Sequence, residues 1–120
     1  MNIPKIYETE YRFCLIVWEH EPIRSGELAK LAAEKLGWSK TTTFTIIKRL
    51  SDRGVLQNKD RFVTSLIPKE AVQTAELREL MTEKFEGDLP SFLAAFAANQ
   101  HLSEEDVEEI RRIIAKEETP

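Results

Sequence analysis

The sequence predicts a mainly α-helical protein with a small antiparallel β-wing. Two amphipathic helix patterns meet at a three-residue turn, Gly37 to Ser39, as the two helices of a helix-turn-helix do. Two short strand patterns around a polar turn follow the second of these helices, which is typical of a β-hairpin. From Pro68 onward the patterns are helical only. We therefore expect a winged helix-turn-helix DNA-binding domain over residues 1–67 and a helical dimerisation domain over residues 68–120.

The first predicted helix runs from Thr9 to His20, is largely apolar, and ends before Pro22, which cannot continue a helix. Ile23 and Arg24 are too few for an independent strand, but they are expected to pair with the wing as its third strand. Ser25 is expected to cap the next helix, whose leucines and alanines face inward. We expect Cys14, the single cysteine, to be buried by packing in the first helix.

The stretch WSKTTTFTIIKRLSDRGVLQNKDR, residues 38–61, carries the strongest functional signal. Ser39 is the expected N-cap, and Gly54 is expected to end the helix in a left-handed conformation. The helix is expected to have an inward apolar side formed by Phe44, Ile46, Ile47 and Leu50, and spacings of three and four residues place the last three on one stripe. The remaining helix positions carry hydroxyls and cations that can contact phosphates and base edges, namely Lys40, Thr41, Thr42, Thr45, Lys48, Arg49 and Arg53.

Three consecutive threonines are unfavourable in a helix because β-branched side chains lose rotamer freedom there. One interpretation is that Thr41 to Thr43 were retained for contacts with a ligand, since a threonine offers both a hydroxyl and a methyl group to a base. The other interpretation is a poor first turn that only supports the cap.

Val55 to Gln57 and Phe62 to Leu66 have strand patterns, with the polar residues Asn58 to Arg61 between them. A hairpin of this length suits a wing with a basic tip formed by Lys59 and Arg61. An ordinary surface turn with solvated charges is the alternative.

The charges of the chain are segregated although its net charge is −4. Residues 1–69 contain 12 Lys and Arg against 8 Asp and Glu, a net charge of +4, whereas residues 70–120 contain 5 against 13, a net charge of −8. A local basic surface is what binding to the phosphates of duplex DNA requires. The predicted DNA-binding residues are Ser39, Lys40, Thr41, Thr42, Thr45, Lys48, Arg49, Lys59 and Arg61.

The second half predicts three short helices without a sheet, and their exposed apolar faces would make them poorly stable alone. We expect these faces to pack on a second copy of the chain, so that a homodimer with twofold symmetry reads a palindromic operator. The many acidic residues of the second half are expected to face away from the DNA, to solvate the helices, or to do both. The predicted dimerisation residues are Leu77, Leu80, Phe92, Leu93, Phe96, Val107, Ile110, Ile113 and Ile114.

Composition argues against several other classes of protein. An apolar content of 42% and a charged content of 32% fit a soluble globular chain. The sequence has neither a membrane-spanning run nor a signal-peptide pattern, so a cytoplasmic location is expected. His20 and His101 stand far apart without a metal-ligand motif, and no glycine-rich phosphate loop is present. We therefore expect no enzymatic activity, no cofactor and no metal.

Four segments carry a resemblance to a known family: VWEHEP, LGWSKTTTFTIIKRLSDRGVL, LIPKEAVQTAELREL and LSEEDVEEIRRII. With them the chain resembles the BlaI/MecI family of penicillinase and methicillin-resistance transcriptional repressors, which includes the copper-responsive CopY type. The resemblance implies a winged helix bound to operator DNA and a helical dimerisation region. It also implies that Thr42, Thr45 and Arg49 occupy polar positions of the recognition helix.

Members of that family are relieved by a membrane β-lactam sensor whose zinc protease cuts between an Asn and a Phe in the dimerisation region. In the matching segment SFLAAF, Ala95 stands in place of the Asn and Phe96 is retained. Ala95 and Phe96 are therefore the expected cleavage region, although the Asn is missing. The paired Cys-x-Cys tail of the copper-responsive branch is absent, which argues against that mode of metal sensing.

The leading hypothesis from the sequence is thus a dimeric, sequence-specific transcriptional repressor, with double-stranded DNA, a second copy and a membrane sensor protease as expected partners. The alternative is a winged-helix protein–protein interaction module without direct DNA readout. The local excess of cations and hydroxyls favours DNA.

Overall fold

The computed structural model describes residues 3–118, which form six helices and three strands. Their bounds are α1 Glu8–His20, β1 Ile23–Arg24, α2 Ser25–Leu36, α3 Lys40–Asp52, β2 Leu56–Lys59, β3 Phe62–Ser65, α4 Lys69–Phe85, α5 Leu89–Asn99 and α6 Glu104–Glu118. The chain divides into two units, residues 1–76 and 77–120. The division falls within α4, whereas the predicted boundary between the two domains lies just before that helix.

The strands form one antiparallel sheet in the order β1-β3-β2. Ile23 pairs with Val63, so the two-residue strand β1 joins the hairpin as its third strand, as predicted. Helices α2 and α3 are separated only by Gly37, Trp38 and Ser39, and Gly37 has the positive φ of 72° that suits a glycine cap. A helix-turn-helix followed by a β-hairpin, to which β1 adds a third strand, confirms the predicted fold class.

The core of the first unit lies where α1, α2, α3 and the sheet meet. Phe13, Leu28, Leu50 and Val63 are completely buried there, and the ring of Trp38 stacks on Phe13 at a centroid distance of 5.3 Å. Cys14 belongs to the same core, so its predicted burial is confirmed. Burial raises the pKa of the Cys14 thiol to about 12, with a smaller contribution from the nearby Glu10 carboxylate.

The C-terminal end of α1 is tied to the end of the wing by two side chains. Trp18 Nε1 donates a hydrogen bond to the carbonyl oxygen of Ile67 at 3.0 Å. Glu21 Oε1 accepts hydrogen bonds from the backbone N–H and the hydroxyl of Ser65 at 2.8 and 2.9 Å. These contacts hold β3 against α1 and so fix the wing on the body of the unit.

Three local predictions were wrong. Phe44 does not join the inward side of α3: it is 36% exposed, and Thr43 is completely buried in its place. Arg24, and not Ser25, is the N-cap residue of α2. The turn of the wing contains only Asp60 and Arg61, because β2 already includes Asn58 and Lys59.

The second unit consists of the remainder of α4 with α5 and α6, and its apolar side chains are largely at the surface. Phe92 contacts Phe85 edge to face at 5.1 Å and stacks with Phe96 at 6.5 Å. Asp106 N–H donates to the hydroxyl of Ser103 at 3.0 Å, and this capping arrangement of α6 is as predicted. Within residues 3–118, no helix has the length and apolar character needed to cross a bilayer.

Candidate nucleic-acid interface

The first turn of α3 divides the three consecutive threonines between two roles. Ser39 Oγ accepts a hydrogen bond from Thr42 N–H at 3.1 Å and donates one to Thr42 Oγ1 at 2.9 Å. The buried Thr43 hydroxyl donates to the carbonyl oxygen of Ser39 at 3.2 Å. Thr42 and Thr43 therefore both support the helix start, while Thr41 and Thr42 also lie at the surface. The interpretation as a supporting first turn is confirmed for Thr42 and Thr43, and contact of the threonines with a ligand stays a prediction.

The exposed face of α3 brings most of the predicted contact residues together. Thr41, Thr45 and Lys48 follow at intervals of four and three residues, and Thr42, Thr45 and Arg49 follow at intervals of three and four. Residues at these intervals share one face of a helix. Lys48 Nζ lies 3.5 Å from a carboxylate oxygen of Asp52, but both side chains are mostly exposed. Such a pair is weak in water, so Lys48 can exchange it for a phosphate. All nine predicted DNA-binding residues are exposed in the structure.

Phe44 lies on this exposed surface, one turn after Lys40 and one turn before Lys48. An apolar group there cannot accept or donate a hydrogen bond, but it can contact the methyl group of a thymine. Because Phe44 is exposed and not inward as predicted, it adds an apolar side chain to this face of α3.

The tip of the wing is a two-residue turn with an unusual backbone. Asp60 and Arg61 have φ angles of 53° and 68°, which correspond to the type I′ turn that matches the twist of a hairpin. Asp adopts the left-handed region fairly often, whereas an arginine there costs roughly 1–2 kcal/mol that a glycine would avoid. Arg61 therefore places a guanidinium at the wing tip at the cost of backbone strain.

A basic cleft of about 500 Å³ lies between the wing and the N-terminal end of α2. Its wall includes four cations, Arg24, Lys30, Lys40 and Arg61, and the backbone of the first turn of α2. Ser25 N–H donates to the carbonyl oxygen of Arg61 at 2.8 Å and holds the wing tip against α2. Four cations against the single carboxylate of Glu27 give the cleft a positive charge that suits a phosphate group.

Sequence reasoning did not identify Arg24 and Lys30 as members of this site. The guanidinium carbon of Arg24 lies 5.2 Å from the centre of the Phe62 ring, which holds the side chain on the outer face of the sheet. Lys30 contributes although its Nζ is 3.9 Å from the carboxylate of Glu27, because that pair is exposed. The only signal in the sequence was that Arg24 directly precedes the predicted start of α2.

Arg53 is not part of the exposed face, so its prediction as a residue that contacts phosphates or base edges is wrong. Its guanidinium donates to the buried carboxylate of Glu10 and, at 2.6 Å, to the carbonyl oxygen of Lys5. These partners lie more than 40 positions away in the sequence, so no local pattern could have revealed them.

In the second unit, α5 and α6 form an apolar groove of about 460 Å³ whose lining includes Phe92, Phe96, Val107 and Ile110. Leu77, Leu80, Leu93, Ile113 and Ile114 are also at least 41% exposed. Ala95 and Phe96 lie inside α5, and the carbonyl oxygen of Ala95 accepts a hydrogen bond from Asn99 Nδ2 at 2.7 Å. Within residues 3–118, no group of three or more potential metal ligands is close enough to hold an ion.

The chain matches the family model described as penicillinase repressor over residues 6–116. It is 26% identical over 117 residues to the penicillinase repressor of Bacillus licheniformis, a match that covers 94% of this chain and 91% of that protein. It is 23% identical over 116 residues to the methicillin resistance regulatory protein MecI of Staphylococcus aureus, covering 93% and 94% of the two chains.

A solved structure is similar as well. It is the solution structure of the monomeric form of Bacillus licheniformis BlaI in complex with the blaP half-operator. The TM-score is 0.51 at 27% sequence identity, and the similarity covers 58% of this chain and 90% of that one.

Proposed function

Because the chain belongs to the penicillinase repressor family, as its motifs predict, we propose that it is a dimeric transcriptional repressor that binds a palindromic DNA operator. The observation that supports this most is the continuous exposed surface formed by the polar face of α3, the wing tip and the basic cleft. Support also comes from the similar structure, in which the BlaI monomer is in complex with a half-operator. The family is one of repressors and not of enzymes, as predicted.

In the proposed complex, α3 lies in the major groove of the DNA. Thr41, Thr42 and Thr45 offer hydroxyls and methyl groups to base edges, and Arg49 can donate two hydrogen bonds to a guanine. Phe44 contacts thymine methyl groups from the same surface. The helix therefore combines a small number of hydrogen bonds with apolar contacts.

The wing tip and the basic cleft would bind the phosphates that flank the groove. Lys59 and Arg61 lie at the hairpin end, and Arg24, Lys30 and Lys40 extend the basic surface toward α2 and the start of α3. Phosphate contacts fix the position of the protein on DNA without reading its sequence. They also make binding depend steeply on salt concentration.

Dimerisation is assigned to the second unit, where a row of large apolar side chains is exposed. The exposed fractions lie between 39% and 55% for Leu93, Phe96, Ile110, Ile113 and Ile114. An exposed group of large apolar side chains is typical of a surface that binds another protein. A second copy of the same surface would bury them around a twofold axis. Two recognition helices related by such an axis read two half-sites one helical turn apart.

Relief of repression is proposed to occur by cleavage of the Ala95–Phe96 bond by a membrane sensor protease. Cleavage there would remove α6 and the end of α5 from the dimer interface. The bond lies within a helix, and proteases bind extended chain, so α5 must unwind locally before cleavage. Incubation of the chain with membranes that contain the sensor protease, followed by mass spectrometry, tests this: fragments ending at Ala95 support it, and an intact chain under inducing conditions contradicts it.

Selection of bound duplexes from a random DNA pool tests the main proposal. We expect an enriched palindrome with half-sites about 10 base pairs apart. Binding of that duplex is then measured by fluorescence anisotropy for Arg49→Met and for the control Arg78→Met, an exposed arginine of α4 with the same change of charge. The Arg49 variant should lose about 5- to 150-fold in affinity, the range of one guanine contact, and the control should bind normally.

Enrichment of no sequence would contradict DNA readout and would favour the protein-interaction alternative. Equal loss of affinity in the Arg49 and Arg78 variants would mean that only net charge matters. It would remove the assignment of α3 as the reading helix.

A further inference from the structure

A buried ion pair joins the C-terminal end of α3 to the start of α1. Glu10 is only 5% exposed, and its Oε2 accepts a hydrogen bond from Arg53 Nη2. The other carboxylate oxygen accepts a hydrogen bond from Tyr7 N–H at 3.0 Å and so caps α1. Arg53 is the C-cap residue of α3, and its Nη1 donates to the carbonyl oxygen of Lys5 at 2.6 Å. The Tyr7 ring lies 5.7 Å from the guanidinium carbon and covers it.

This arrangement commits the Arg53 guanidinium to partners inside the protein. Both of its terminal nitrogens already donate, and the side chain is 29% exposed. A contact from Arg53 to a phosphate would leave the Glu10 carboxylate buried without its cation, which is strongly unfavourable. Arg53 therefore differs from Arg49, which lies one turn earlier and is exposed.

The ion pair fixes the orientation of α3 more than it adds to the net stability of the fold. Burying two charges costs about as much as their attraction returns, so such pairs are poor stabilisers by themselves. A guanidinium, however, is planar and rigid, and its hydrogen bonds have a fixed geometry. Contacts from this group to α1 and to the segment before α1 fix the last turn of α3 in both position and angle.

We propose that Glu10 and Arg53 are positioning residues for operator recognition: they set the angle at which α3 enters the DNA groove, and neither touches the DNA. This inference rests on the proposed DNA-binding function. A helix of 13 residues is about 20 Å long, so a tilt of about 5° at one end displaces the other by nearly 2 Å. Such a displacement breaks the hydrogen bonds of Thr41 and Thr42 to bases but leaves phosphate attraction almost unchanged.

The test uses the double variant Glu10→Gln/Arg53→Met. It leaves the net charge unchanged, avoids an unpaired buried charge, and keeps an oxygen at residue 10 to cap the N–H of Tyr7. The matched control is Glu8→Gln/Arg12→Met, which removes an exposed 3.0 Å ion pair from the same helix. Anisotropy titrations over a range of salt concentrations compare the duplex selected by the wild-type chain with a scrambled duplex of equal length and composition.

For the double variant we expect affinity for the selected duplex to fall by about tenfold, comparable to weakening one base contact. Affinity for the scrambled duplex and the slope of log K against log salt should stay at the wild-type values. The control should match the wild type in every measurement. Arg53→Lys keeps the charge beside Glu10 but not the planar guanidinium. Its preference for the selected duplex over the scrambled duplex should fall several-fold, while the chain remains folded.

Two results would overturn the proposal. If both the double variant and Arg53→Lys keep the wild-type preference for the selected duplex, the pair is only structural. If the salt slope and the scrambled-duplex affinity fall together, Arg53 is a phosphate contact. A wild-type chain that selects no sequence refutes the proposed function itself, and this inference with it.

Discussion

The strained backbone at the wing tip predicts that one substitution there raises stability and weakens DNA binding. Arg61 has a φ of 68°, a conformation that costs a side-chain-bearing residue roughly 1–2 kcal/mol. Glycine avoids that cost but gains entropy in the unfolded chain, which offsets about 0.5–1 kcal/mol. The Arg61→Gly variant should therefore be more stable than the wild type by about 0.5–1 kcal/mol, provided that the backbone bond from Ser25 N–H to residue 61 is retained.

The same variant should bind DNA more weakly. Loss of one phosphate contact reduces the slope of log K against log salt by about 0.9. Relative to 1 M salt, where such contacts contribute little, this corresponds to about an eightfold loss of affinity at 0.1 M salt. Urea denaturation measures the free energy of unfolding, and anisotropy at several salt concentrations measures the slope.

Lys59→Met is the matched control because Lys59 is exposed, next to the turn, and absent from the residues with positive φ. It should lower the salt slope by the same amount without raising stability. A decrease in the unfolding free energy of Arg61→Gly would mean that the arginine side chain itself stabilises the wing. An unchanged salt slope would mean that Arg61 does not reach a phosphate, and either result would refute the reasoning.

Three further changes test other parts of the structure. Glu21→Ala should lower the free energy of unfolding by about 1–3 kcal/mol in urea denaturation, because it leaves the Ser65 N–H without its acceptor, whereas Glu19→Ala, at an exposed position, should have little effect. Because burial raises the pKa of the Cys14 thiol, this thiol should react with iodoacetamide at pH 8 only as fast as the chain unfolds. Above pH 9 the thiol of the unfolded chain ionises before that of the folded chain, so the free energy of unfolding should fall, and Cys14→Ala should not show this fall. Phe96→Asp should shift the chain toward a monomer in sedimentation equilibrium, and an unchanged dimer would exclude the α5 surface from the interface.

Much of the first unit could be predicted because its signals are local. The apolar periodicity of α1, α2 and α3 and the glycines that end helices depend only on neighbouring residues. The cap at Ser39 and the third strand at Ile23 were likewise predicted and are present. The exposure of Thr42, Thr45 and Arg49 followed from their spacing, since residues three or four apart share a helix face.

The rotation of α3 against its neighbours could not be read from that spacing. Periodicity fixes the angles between side chains on a helix, but packing decides which residue at the edge of the apolar stripe turns inward. The small Thr43, which satisfies its hydroxyl on the Ser39 carbonyl oxygen, fits against the core where Phe44 does not.

The sequence by itself therefore determined the order of elements, the family and the hydroxyl-rich, basic surface of residues 38–61, because each depends on patterns within a few residues. Only the tertiary structure decided how that surface is completed and held. It brought Arg24 and Lys30 to the wing tip, and it removed Arg53 from the surface by pairing it with Glu10, 43 positions away. Such pairings depend on how the chain returns to itself, which no local spacing records.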